Sequence, residues 1–107
     1  MIGLLIAAAA AAAAVTAPAH EPAAVFGRIC LSCHGPNGWG TRALSRRLPR
    51  DQALLANRRD LSPELLHAVL RHGIGSMPSF TPTDLSDAEI DALAQWLASP
   101  HPADAPH

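Results

Sequence analysis

An all-α fold is what this 107-residue chain predicts, and three observations predict it. Apolar residues recur at three- and four-residue steps in several segments, and two of those segments open on helix-start signals. No segment alternates at period two as a half-buried strand would, and no internal repeat appears. The length fits one domain.

The chain begins with an address rather than a fold element. Ile2 to Val15 (IGLLIAAAAAAAAV) is uninterrupted small and apolar sequence, and Ala17-Pro18-Ala19 follows in the A-x-A pattern of a signal-peptidase site. Residues 1–19 are therefore read as a signal peptide cut after Ala19, although no Lys or Arg precedes the run. The alternative is an uncleaved anchor, because the stretch approaches the roughly 20 residues that cross a bilayer. Either way the remainder is exported, with the periplasm as its expected compartment.

The first helix runs from Ala23 to Cys33, with Pro22 suited to its first turn and Val25, Phe26, Ile29, Cys30 and Cys33 on its apolar face. The next segment, HGPNGWGT, is read as loop from its three glycines and one proline. Pro49 interrupts Leu44 to Asn57, where one short helix is expected through Ala53, Leu54 and Leu55. Ser62-Pro63-Glu64 starts a helix with Leu65, Leu66, Val69 and Leu70 as its buried stripe and Gly73 at its end. Ile74 to Asp84 is loop. Ser86 and Glu89 form a capping box for the last helix, Leu85 and Ile90 its hydrophobic staple, and Ile90, Leu93, Trp96 and Leu97 its core face. The folded domain spans 20–99, and residues 100–107 read as a disordered tail.

Net charge is −1, with eight basic residues, all Arg, and nine acids. That balance excludes the strongly basic footprint of a nucleic-acid binder. The distribution is uneven: Arg42, Arg46, Arg47, Arg50, Arg58 and Arg59 fall in the middle third, and Asp84, Asp87, Glu89 and Asp91 lie towards the C-terminus. Such asymmetry either orients a partner or is simply a solvated face.

Cys30-Leu31-Ser32-Cys33-His34 has the spacing of a covalent haem attachment site. Residues three apart share a helical face about 5 to 6 Å apart, so both thiols can add to the two vinyl groups on one porphyrin edge. His34 follows where the chain turns, so that Nε2 can reach iron while the other nitrogen donates to a backbone carbonyl of the Gly35-Pro36 loop. Three alternatives compete. A thioredoxin-like pair would need a βαβ context; a zinc site would need a matching second ligand pair, which His20, His67, His72, His101 and His107 do not supply; a plain disulfide is permitted by export. The second axial ligand follows by elimination: beyond Met1 the remaining methionine is Met77, in GIGSMPSF, with His72 and His67 as fallbacks.

With CLSCH, the glycines Gly35, Gly38 and Gly40, and GIGSMPSF, the chain resembles the class I, cytochrome c-like family of monohaem c-type cytochromes over residues 21–98. The resemblance implies three to five helices around one haem c, with Phe26 and Trp96 as the aromatic pair where the first and last helices cross. The family's small glycine at that crossing falls at Pro22, so Ala23 or Gly27 is expected to permit the close approach. A weaker resemblance links the segment from Ala43 to Phe80 to small cytochromes that accompany bacterial flavin- or quinone-dependent dehydrogenases.

The expected function is single-electron transfer through one covalently bound haem, with Cys30, Cys33, His34 and Met77 as cofactor-binding residues and His34 and Met77 on the iron. No catalytic residue is assigned. Expected partners are redox proteins, namely a dehydrogenase, an oxidase or another cytochrome, with no nucleic acid, no small-molecule substrate, and a membrane only if residues 1–19 are retained. Arg46, Arg47 or Arg59 either balance the haem propionates or are solvated, and Trp39 either donates to a propionate or packs against the ring. The rivals are a haem sensor or peroxidase-like protein with Met77 off the iron, and a structural haem-holding subunit.

Overall fold

In a computed structural model the described residues are 3–5 and 20–101, so the proposed signal, apart from residues 3–5, and tail residues 102–107 lie outside them. Five helices and no strand occur among the described residues. The fold is all-α, as expected, and no described helix is long and apolar enough to cross a membrane.

Helix α1, residues 22–34, is continuous but not uniform. Pro22–Val25 is α-helical with the proline at its start, Phe26–Cys30 is a π-turn, and Leu31–His34 returns to α. A π-turn bonds five residues back, and here the Leu31 N–H reaches the Phe26 carbonyl. That wider period puts Val25 and Cys30, five apart, on one buried face with Phe26.

Helix α2, Trp39–Leu44, stands where loop was expected. The loop is only residues 35–38, and Gly38 and Gly40 turn out to serve packing rather than chain reversal. Helix α3, Arg50–Ala53, stops before Leu54, whose extended backbone (φ −78°, ψ 111°) breaks the helix expected through Leu55. A 3₁₀ turn, Leu55–Asn57, follows.

Helix α4, Pro63–His72, starts as its sequence dictates: the Ser62 hydroxyl accepts from the Leu65 N–H, and Gly73 terminates it at φ 72°. Its stripe is narrower than expected. Leu66 and Leu70 are buried, but Leu65 is 47 % exposed. Helix α5, Asp87–Ala98, carries the full capping box, with Ser86 Oγ accepting from Glu89 N–H and Glu89 accepting from Ser86 N–H, both at 3.1 Å.

Fully buried Val25, Phe26, Leu85, Ile90, Leu93 and Leu97 form the centre, joined by Leu66 and Leu70. Phe26 meets Trp96 with ring centroids 5.1 Å apart and planes tilted by 46°. Neither Ala23 nor Gly27 makes the crossing close: Ala23 is exposed, and a Cβ on Gly27 would meet nothing within 4 Å. Val25 on α1 and Ala94 on α5 are both buried in the core. His101, at the start of the expected tail, stacks on Trp96 at 4.0 Å.

Candidate functional site

The end of α1 brings Cys30, Cys33 and His34 onto consecutive turns. Cys30 is 7 % exposed and part of the core, whereas Cys33 is exposed; both are free thiols. Burial first, and then the nearby Cys33, push the Cys30 thiol up to about 12. The βαβ context of a thiol–disulfide redox enzyme is missing among the described residues.

His34 is held by α2. A Cβ on Gly40 would come within 2.9 Å of its Cε1 and 3.1 Å of its Nδ1, and a Cβ on Gly38 would collide with the Cys33 carbonyl. Only glycine at these positions lets α2 lie so close to the Cys33–His34 turn. Burial lowers the pKa of His34, favouring the neutral imidazole with a free lone pair, the form that binds metals. Its Nδ1 is buried without a hydrogen-bond partner. The Gly35 carbonyl, in the loop expected to receive that nitrogen, accepts instead from Thr41 Oγ1 at 2.6 Å and from the Gly38 N–H at 3.0 Å. The hydrogen bond expected from Nδ1 to this loop is therefore not made.

Met77 reaches the same core from the other end of the chain. Ile74 and Met77 exchange two backbone hydrogen bonds, 3.2 and 2.9 Å, closing a tight turn that contains Gly75 at φ 56°. At Gly73 any Cβ would meet the Met77 carbonyl at 2.7 Å. The half-buried Met77 side chain packs against the cluster that contains Cys30. Arg71, which sequence reasoning missed, fastens this loop: Nη1 donates to the Leu85 carbonyl at 2.7 Å and the Phe80 carbonyl at 3.3 Å, and Nη2 to Asp87 at 2.7 Å. The sequence signal for it is weak, an Arg in the last turn of a helix.

The fallback ligands are otherwise engaged or exposed. His67 Nε2 lies 2.7 Å from Asp91 and ties α4 to α5, and His72 is exposed. No cluster of three His, Cys, Asp or Glu residues able to hold a metal occurs among the described residues. Of the arginines considered for propionates, Arg46 and Arg47 are exposed, and Arg59 donates to the Ala56 carbonyl at 2.7 Å. A cavity of about 1210 Å³ beside the Pro36-Asn37 loop is lined instead by Arg42 and Arg50, with Thr41, Ser45 and Asn57.

A buried and an exposed thiol one helical turn apart, an imidazole directly after them, and a thioether on a glycine-rich loop are residue types of the kind that hold a haem c. An all-helical fold around that set defines the c-type cytochrome class. The chain belongs to the family described as cytochrome c oxidase, cbb3-type, subunit III, whose model matches residues 17–97. No curated protein and no solved structure matches. Membership implies a haem-based electron-transfer protein that works with redox partner proteins.

Proposed function

We propose that the chain is a periplasmic single-electron carrier holding one haem c, with thioether bonds from Cys30 and Cys33 and with His34 and Met77 as axial ligands. The observation that carries this reading is His34. Its half-buried ring, in which burial favours the neutral imidazole, is packed against Gly40 directly after the two thiols.

When bound, haem c supplies reversible one-electron oxidation and reduction at iron with no substrate bond made or broken. The protein's part is positioning. Cys30, buried, and Cys33, exposed, would hold the haem covalently, and His34 and Met77 would hold its iron. A thioether in place of a second imidazole raises the reduction potential. Phe26 and the buried leucines keep water from the covered side, and Arg71 prevents the Met77 loop from swinging away. Electrons come from a periplasmic dehydrogenase or respiratory complex and pass to another haem or copper protein.

An absorption spectrum of protein purified from the periplasm tests this. The pyridine haemochrome should be that of thioether-linked haem, and the ferric form should carry the weak iron–thioether band. Haem extractable by acid solvent would overturn the covalent assignment. Survival of the band in Met77→Ala, or rapid carbon monoxide binding without denaturant, would overturn the axial one.

A further inference from the structure

The arginines divide into two groups that the sequence does not separate. Arg28, Arg58 and Arg71 each have a carboxylate within reach, at 3.7 Å (Glu89), 2.9 Å (Asp60) and 2.7 Å (Asp87). The other five have none among the described residues and are all exposed; Arg59 donates to the Ala56 carbonyl, which leaves Arg42, Arg46, Arg47 and Arg50. They lie on α2, the turn after it and the first residue of α3. Asp51 is the single carboxylate between residues 35 and 59. Trp39, 54 % exposed, opens the same helix. Exposed Trp and Arg are the residue types most enriched at the energetic centres of protein interfaces.

This face is rigidly joined to the proposed haem segment. Gly38 and Gly40 press α2 against the Cys33 carbonyl and the His34 ring, which fixes the face relative to these two residues. We propose that the face formed by Trp39, Arg42, Arg46, Arg47 and Arg50 is the docking surface for an acidic redox partner. The proposal rests on the electron-carrier reading. Uncompensated cations there would attract an anionic partner although the chain as a whole is formally −1.

That opposition of signs supplies the test. Reduced holoprotein is oxidised by hexacyanoferrate(III), a trianion that takes one electron and leaves as hexacyanoferrate(II). Stopped-flow rates are followed from about 0.01 M to about 1 M salt, over which the screening length falls from roughly 30 Å to roughly 3 Å. If net charge governed, salt would relieve repulsion and the rate would rise. The Arg face at the electron exit makes it fall, by about tenfold, and Arg46→Gln with Arg47→Gln should flatten the fall at unchanged haem content. A rate that rises with salt in the parent chain, or a slope indifferent to the double substitution, overturns the proposal. Binding to phosphatidylglycerol vesicles or to a DNA duplex that the substitutions abolish would also overturn it, by assigning the face to lipid or nucleic acid. A protein without thioether-linked haem would instead sink the electron-carrier reading itself.

Discussion

Gly40 and His34 are in a contact that tolerates no side chain: a Cβ at Gly40 would lie 2.9 Å from the imidazole Cε1 and 2.9 Å from the Cys33 carbonyl oxygen. Two of those neighbours cannot yield together, because one is backbone and the other is the proposed ligand. Gly40→Ala is therefore expected to lower stability by about 1 to 3 kcal/mol, the usual cost of overpacking. It should also disturb the imidazole, visible as loss of low-spin character in the absorption spectrum. Denaturant unfolding and the visible spectrum check the two effects separately.

The two cysteines should respond differently to the same substitution. Either Cys30→Ser or Cys33→Ser removes one thioether, detectable by mass spectrometry of the haem-bound chain. Cys30→Ser in addition buries a hydroxyl in the apolar core, at a cost of about 1 to 3 kcal/mol if it is left unpaired. Cys33→Ser changes a surface position, where the packing effect stays within about 0.5 kcal/mol. Equal losses of packing stability would contradict the buried and exposed placements.

Glu89 sets an acid limb on stability. The Ser86 backbone N–H, ahead of the His20 ring, holds its carboxyl below the ordinary 4.5. Since the folded value is the depressed one, the contribution is present above the ordinary value and is lost as pH falls through the lowered folded value. Melting temperature should decline with acidification across that window, and Glu89→Gln should shallow the decline. An unchanged pH profile in Glu89→Gln would remove the capping box from the account of acid sensitivity.

His101 closes the C-terminal end. Its ring stacks on Trp96, and its nitrogens approach three carbonyls: Trp96 at 3.0 Å, Ser99 at 2.8 Å and Ala56 at 2.7 Å. The Ala56 contact ties the end of α5 to the 3₁₀ turn. His101→Ala should cost about 1 to 2 kcal/mol, combining a stacked ring with net hydrogen-bond energy. For a domain of this size each kcal/mol lowers the melting temperature by roughly 4 to 8 °C.

Several elements were legible because their causes are local. Ser62 and Ser86 cap their own helices three residues on, Pro22 occupies a first turn, and Gly73 ends α4 in a left-handed conformation; none of these needs a distant partner. Phe26 and Trp96 meet as the family resemblance implied. Helix α2 was not legible, since Gly38 and Gly40 resemble a turn until His34 is seen to occupy the space their side chains would have filled. Leu65 was misplaced because a stripe on a short helix leaves the partner on each edge undecided. Arg71 joins Phe80, Leu85 and Asp87, residues that no local pattern connects to it.

By itself the sequence determined the chemistry on offer: two thiols a helical turn apart, an imidazole directly after them and Met77 in a glycine-rich loop. Spacing along one helix and the supply of ligand types are properties of the chain. Only tertiary structure decided which thiol is buried, what clamps the imidazole, and which arginines lack a carboxylate. Those are outcomes of packing between segments far apart in the chain, where desolvation and steric fit depend on neighbours that no single segment contains.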